Sequence, residues 1–240
     1  MCGRYYRAGS KQQIAERLCA ARIAPGILDS LDDWNVAPTT YQPVVRHTRD
    51  GAVRELLLMR WGMVPFFAKS LADFRGMSTF NAKAETLPTA RTWREPFHGG
   101  RRCLVPASGF YEWKVLEPAP TEPPAKKSPK PEKQPYSFTV PAEPTFAFAG
   151  LWDAWHDPVA DTWLQSFTVI TTTPNPLTAQ VHTRMPVILH LRDYDEWLLR
   201  EGPAPTHLLQ PFPATEMRMT AVSKDVGNVR NNHPELLNSK

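Results

Sequence analysis

Apolar positions in this 240-residue chain fall mostly in short alternating runs, and few of them form long helical stripes. Pro43 to Thr48 and Val53 to Trp61 are two such runs, separated by Asp50-Gly51. An Asp-Gly pair between apolar runs is a strong hairpin signal, because both residues tolerate the positive φ of a tight turn. Arg102 to Val105, Gly109 to Val115, Tyr136 to Val140 and Phe146 to Trp152 continue the strand-like pattern. Ser166 to Thr172, Pro186 to Leu189 and Met217 to Val222 carry it toward the C-terminus. Helical periodicity is scarce. Ser10-Lys11-Gln12-Gln13 reads as a capping box opening a helix whose Ile14, Leu18 and Cys19 share one face, ending near Pro25-Gly26. Ala82 to Thr86, Ala90 to Phe97 and Leu191 to Arg200 are the other helical candidates. Strands far outnumber crossover helices, so the pattern predicts an α+β fold. It would be a mainly antiparallel, β-rich (barrel-like) single domain over residues 1–240 with a few short helices.

Composition changes this picture in one place. Proline is about twice its usual ~5% share, with 25 residues. Seven of these prolines crowd into residues 117–135, interleaved with Lys126, Lys127, Lys130 and Lys133. Such a stretch has too few apolar groups to offset its ordering entropy, so a disordered hairpin insertion is expected there. No apolar run approaches the ~18 residues of a membrane span, and no signal peptide opens the chain. Cys2, Cys19 and Cys103 cannot all pair within one chain and show no zinc spacing, which fits a reducing, cytoplasmic setting. The net charge of +4 is compatible with a nucleic-acid partner without requiring one.

Five places could carry chemistry. Removal of Met1 would leave Cys2 with an α-amine and a thiol on adjacent carbons. The amine has a reference pKa of about 7.7–8.0 and the thiol titrates near 8.5. A cysteine can equally be a small buried hydrophobe. Asn81 stands near Lys83 and Glu85, and also reads as a helix N-cap. Glu112 lies between Tyr111 and Trp113. In an apolar setting its pKa would rise toward neutrality, whereas on an edge strand it would face solvent. His182 and Arg184 follow a proline-interrupted loop and offer a proton carrier and a planar anion fork, although a lone histidine is often structural. Trp61, Met63 and Phe66 surround Gly62 and Pro65. They belong either to the core or, if exposed, to a surface that stacks on unpaired bases.

Together these stretches resemble the SOS-response-associated peptidase (SRAP) family, whose members shield abasic sites in single-stranded DNA. The matching segments are MCGRY at the start, WNVAPT from Trp34, RWGMVP from Arg60 and FNAKAET from Phe80. RRCLVPASGFYEW from Arg101, FAFAGLW from Phe146, VHTRMPVIL from Val181, and AVSKDVGNVRNN from Ala221 with Pro234-Glu235-Leu236 complete the ordered set. The resemblance implies a compact β-rich fold with the N-terminus buried in a basic cleft. It also implies Cys2 as the DNA-linking nucleophile, with Asn81, Glu112 and His182 as active-site partners. Arg4, Lys83 and Arg184 fall where the family contacts phosphates. Position 83 is Lys where many relatives carry Arg, which keeps the charge but loses the bidentate fork.

The implied partner is single-stranded DNA containing abasic sites, engaged by a monomer with no cofactor, metal or membrane. Abasic-site lyase and self-processing peptidase activities are also implied. The rivals are an N-terminal-nucleophile glutamine amidotransferase, which also begins Met-Cys-Gly, and a non-catalytic single-strand-binding module. A metal site on Cys2 and His182 lacks the ligand spacing.

Overall fold

A computed structural model describes residues 2–48, 50–72, 78–116, 131–199 and 201–238. Its strands and α-helices begin β1 (Tyr5–Arg7), α1 (Lys11–Arg17), β2 (Arg22–Ile23), β3 (Asp33–Val36), β4 (Tyr41–His47), β5 (Arg54–Trp61) and β6 (Asn81–Lys83). They continue α2 (Arg94–His98), β7 (Arg102–Ala107), β8 (Gly109–Val115), β9 (Lys133–Thr139), β10 (Phe146–Asp157) and β11 (Thr162–Thr172). β12 (Met185–Pro186), β13 (Ile188–Leu189), α3 (Tyr194–Leu198) and β14 (Arg218–Ala221) complete the order, with short 3-10 turns between.

Five strands run in the order β11–β10–β7–β4–β5, and a parallel pairing of β5 with β11 (Arg60 opposite Ser166, Trp61 opposite Phe167) closes them into a barrel. Closure removes the exposed edges that an open sheet would present. A second sheet, β14–β9–β8–β1–β3, is antiparallel throughout. The chain passes from the barrel into this sheet across Ser108 alone, between β7 and β8.

Alternation along the barrel strands supplies two cores. Cys103 and Val105 of β7, Phe146 and Phe148 of β10, and Phe167 and Val169 of β11 join Tyr5, Phe110 and Phe138 of the second sheet in one aromatic-rich cluster. The opposite faces, with Leu104, Ala147, Ala149 and Ile170, meet Ile14 and Leu18 of the first helical segment, Phe97 of α2 and Trp197 of α3. The mainly antiparallel, barrel-based α+β expectation therefore holds.

Local expectations are met unevenly. The capping box forms both bonds, Gln13 N–H to Ser10 Oγ at 3.2 Å and Ser10 N–H to Gln13 Oε1 at 2.9 Å. The helix stops at Arg17, however, and Cys19 is exposed at φ 53°, off the face shared by Ile14 and Leu18. The helix expected over 82–86 is replaced by β6 and a 3-10 turn at Ala84–Thr86. The reason is a parallel partner, since Asn81, Ala82 and Lys83 pair with Val169, Ile170 and Thr171 of β11. The Asp50-Gly51 hairpin is present, with β4 and β5 paired antiparallel and Gly51 at φ 73°. Of the insertion expected at 117–135, residues 117–130 lie outside the described residues, and its last three, Lys133 to Pro135, form the start of β9.

Candidate active site around Cys2

The N-terminal residues are aligned by β1. Tyr5 pairs with Phe110 and Tyr6 with Gly109, and the Tyr111 N–H donates to Arg4 O at 2.9 Å, which carries the register toward the chain start. Residues 2–4 are thereby aligned with the segment of β8 that contains Glu112. Gly109 permits this approach, because a Cβ there would sit 2.5 Å from the Tyr6 ring. Cys2 is fully buried, and its thiol faces Arg4 O at 3.8 Å, a weak contact.

Asn81 opens β6 and is 6% exposed. Its Nδ2 donates to the Cys2 carbonyl at 2.7 Å. Only the amide nitrogen can donate to a carbonyl, so this bond fixes the amide orientation. Asn81 Oδ1 is left buried without a hydrogen-bond partner among the described residues. Such an orphaned acceptor is uncommon in a native interior and calls for a ligand or water. Asn81 is thus a buried strand residue, not an N-cap.

Glu112 is 4% exposed, which removes the solvent-facing alternative. Tyr111 packs beneath Val222, Val226 and Leu236 of the C-terminal segment. Glu112 shares its face with Phe110, which meets Phe148 of β10, so both sides of β8 are covered here. Burial raises the Glu112 carboxyl to about 7, with the positive chain terminus acting in the opposite direction. The Cys2 thiol is pushed well above the usual thiol range, first by burial and then by the Glu112 charge.

His182 sits in the loop between a 3-10 turn (Thr178–Gln180) and β12, and is half-buried. Asn175 braces that turn, its Oδ1 accepting from Thr178 N–H at 2.8 Å and its Nδ2 donating to Phe212 O at 2.7 Å. His182 Nδ1 lies 3.0 Å from the Arg184 N–H and 3.2 Å from the Arg184 carbonyl, and accepting the shorter of these two contacts puts the proton of the neutral ring on Nε2. Burial lowers the His182 pKa, the positive chain terminus and the Arg184 charge act in the same direction, and the backbone hydrogen bond with Arg184 opposes them. The Arg184 fork makes a bidentate ion pair with Glu85, at 2.6 and 2.9 Å, and donates to Thr171 O at 2.5 Å. Lys83 is exposed two residues before Glu85. Among the described residues, no group of three His, Cys, Asp or Glu side chains is arranged to hold a metal.

Comparison with known proteins adds an independent line. The family model for SOS response associated peptidase (SRAP) matches residues 1–229. The chain belongs to the SRAP family. It is 35% identical over 242 residues to the abasic site processing protein YoqW of Bacillus subtilis, covering all of both chains. It is 30% identical to the abasic site processing protein HMCES of Gallus gallus, over 98% of this chain and 72% of that one. A crystal structure of a protein from Bacteroides thetaiotaomicron superposes with a TM-score of 0.81 at 26% identity, over 98% of each chain. A second, from Bordetella bronchiseptica, gives 0.73 at 27% identity, over 92% of this chain and all of the other.

Other expected site residues of this SRAP chain lie elsewhere or are already engaged. Trp61 and Met63 are fully buried. Trp61 stacks on Phe167 and donates from Nε1 to Phe80 O at 2.9 Å, so neither residue can stack on a base. Phe66 is 56% exposed, with Phe67 edge-on beside it and the Arg91 guanidinium 4.2 Å over the Phe67 ring. Arg4 Nη1 donates to Asn35 Oδ1 at 2.7 Å and to Val226 O at 3.0 Å, so this nitrogen holds the fold together.

Two residues were given no role from the sequence. Asn35 Nδ2 donates to the carbonyls of Val226, Asn228 and Asn231, tying the C-terminal segment to the strand beside Cys2. Its signal was its place in WNVAPT, with the NVRNN run that meets it. Glu85 was visible in FNAKAET, but its partner stands 99 residues away.

Proposed function

We propose that this SRAP chain is an abasic-site processing protein that links itself covalently to the lesion in single-stranded DNA. Removal of Met1 makes Cys2 a 1,2-aminothiol. Its amine attacks the C1′ aldehyde of the open abasic sugar to give a carbinolamine, which loses water to form an imine. The thiol then adds across the C=N bond, sulfur to carbon and hydrogen to nitrogen, closing a thiazolidine. The balance is one aldehyde and one aminothiol giving one ring and one water. The observation that carries this reading is the Asn81 amide holding the Cys2 carbonyl at 2.7 Å in a buried site that also raises Glu112 to about 7. A carboxyl titrating there can take a proton from the amine and return it near neutral pH. His182 Nε2–H serves as hydrogen-bond donor to the departing hydroxyl, and the orphaned Asn81 Oδ1 accepts from a sugar hydroxyl. Holding amine and thiol on adjacent atoms against one carbon supplies a large effective concentration.

The same imine can instead eliminate the 3′ phosphate, so lyase activity competes with ring closure. The family name and the chain's own Met1-Cys2 start are consistent with self-processing that exposes the amine. The deciding experiment mixes the purified protein with a uracil-glycosylase-treated single-stranded oligonucleotide. A heat-stable, slower-migrating adduct lacking Met1 by mass is expected, and adduct formation by protein that retains Met1 would overturn the mechanism. Cys2→Ala, with Met1 removed, is expected to lose the stable adduct yet give a borohydride-trapped imine and some strand cleavage.

A further inference from the structure

The ion pair between Glu85 and Arg184 is unequally buried. The Arg184 side chain is 15% exposed, whereas that of Glu85 is 51% exposed. The guanidinium is held in place by Thr171 O at 2.5 Å, and its buried Nε has no hydrogen-bond partner among the described residues. The Glu85 carboxylate approaches from the solvent side, with both oxygens on the terminal nitrogens, and pairing with Arg184 holds its pKa below the usual carboxylate range. A preorganised cation with a removable anion is therefore displayed two residues from His182. Carboxylate and phosphate fit the same planar fork.

We propose that Glu85 is a selectivity residue of this site. Its carboxylate occupies the Arg184 fork in place of a backbone phosphate, and a nucleic-acid strand must displace it to dock. This rests on the reading that the chain acts on single-stranded DNA. The carboxylate sets a threshold on binding, so that weakly seated, undamaged strands leave readily while a strand anchored through its lesion stays. Glu85 is the exposed partner, and Arg184 keeps its bond to Thr171 O when the carboxylate is removed, so a melting curve of the Glu85→Gln protein separates an effect on binding from one on the fold.

The test compares wild type and Glu85→Gln for binding of an undamaged, fluorescein-labelled single-stranded 20-mer by anisotropy over a salt series. Crosslinking to the matching abasic 20-mer is measured in parallel. Glu85→Gln is expected to bind the undamaged strand three- to thirtyfold more tightly, to steepen the salt slope by about 0.7, the share of one added phosphate contact on a single strand, and to lower the preference for the abasic strand. Glu85→Asp is expected to stay near wild type in all three. Unchanged or weaker binding by Glu85→Gln, with wild type still crosslinking, would overturn the selectivity role alone. Failure of the wild type to engage either strand would overturn both this proposal and the function on which it rests.

Discussion

Replacing Glu112 by Gln removes a charge and little volume from a residue that is 4% exposed. Its carboxyl is raised from 4.5 to about 7, a difference of about 2.5 units. At 1.36 kcal/mol per unit this places an upper bound of about 3 kcal/mol on the cost of the ionised form in the folded protein. The sign follows from proton binding. Between about pH 4.5 and 7 the native state holds a proton that the unfolded state has released, so stability falls as pH rises through that window. Below it wild type and Glu112→Gln differ little; above it Glu112→Gln is expected to be more stable by up to about 3 kcal/mol. Urea denaturation of unreacted protein at pH 5 and pH 8 measures this directly. Crosslinking should move the other way, with the wild-type rate rising through about pH 7 and the variant slower by roughly 10²–10⁴-fold, without that rise. An equal pH dependence of stability in the two proteins would refute the burial argument. A variant that crosslinks at the wild-type rate would remove Glu112 from the chemistry.

Asn81→Ala leaves the buried Cys2 carbonyl without its donor, a loss of about 1–3 kcal/mol. Adduct formation is expected to slow by roughly tenfold to a hundredfold, and a wild-type rate in quenched time courses would dismiss the positioning role. Trp61→Ala should cost about 3–5 kcal/mol in thermal or urea unfolding, as for other large core truncations. Phe66→Ala should leave stability unchanged while weakening single-strand binding by about 1–3 kcal/mol in anisotropy titrations. Gly109→Ala forces a Cβ into the Tyr6 ring. It is expected to lower the melting temperature and crosslinking together, and normal values for both would show that β1 and β8 can separate at no cost.

Features encoded locally were legible in the sequence. The Asp50-Gly51 hairpin, the Ser10–Gln13 capping box and the alternating runs of β7, β8, β10 and β11 each depend on residues close in the chain. The failures share a physical cause. Asn81 to Lys83 has helix-compatible residues but finds a parallel partner in β11, almost ninety residues on, and tertiary pairing overrides local preference. Glu112 was ambiguous because alternation places it opposite Tyr111 without saying what covers either face. The C-terminal segment and the Phe148 ring cover both. Trp61 and Met63 could not be divided from Phe66 within one apolar run, since burial there is set by β11 and Phe80. Motif order singled out the candidate residues, but not that Arg4 and Arg184 are already engaged by Asn35 and Glu85.

The electrostatics of the site also fix an order of events for the proposed chemistry. A thiol raised by burial and by Glu112 is a poor opening nucleophile, because little thiolate exists near neutral pH. The amine faces the opposite situation, since a carboxyl titrating near 7 can accept its proton and release the lone pair. Once the imine forms and is protonated, a positive charge lies two carbons from the thiol sulfur and acts against both causes that suppress it. Amine first and sulfur second is therefore the sequence this environment favours. It follows that borohydride added early in a wild-type reaction should divert adduct into reduced amine, and that added late it should not. A wild-type adduct equally resistant at the earliest resolvable time would mean that the thiol attacks first.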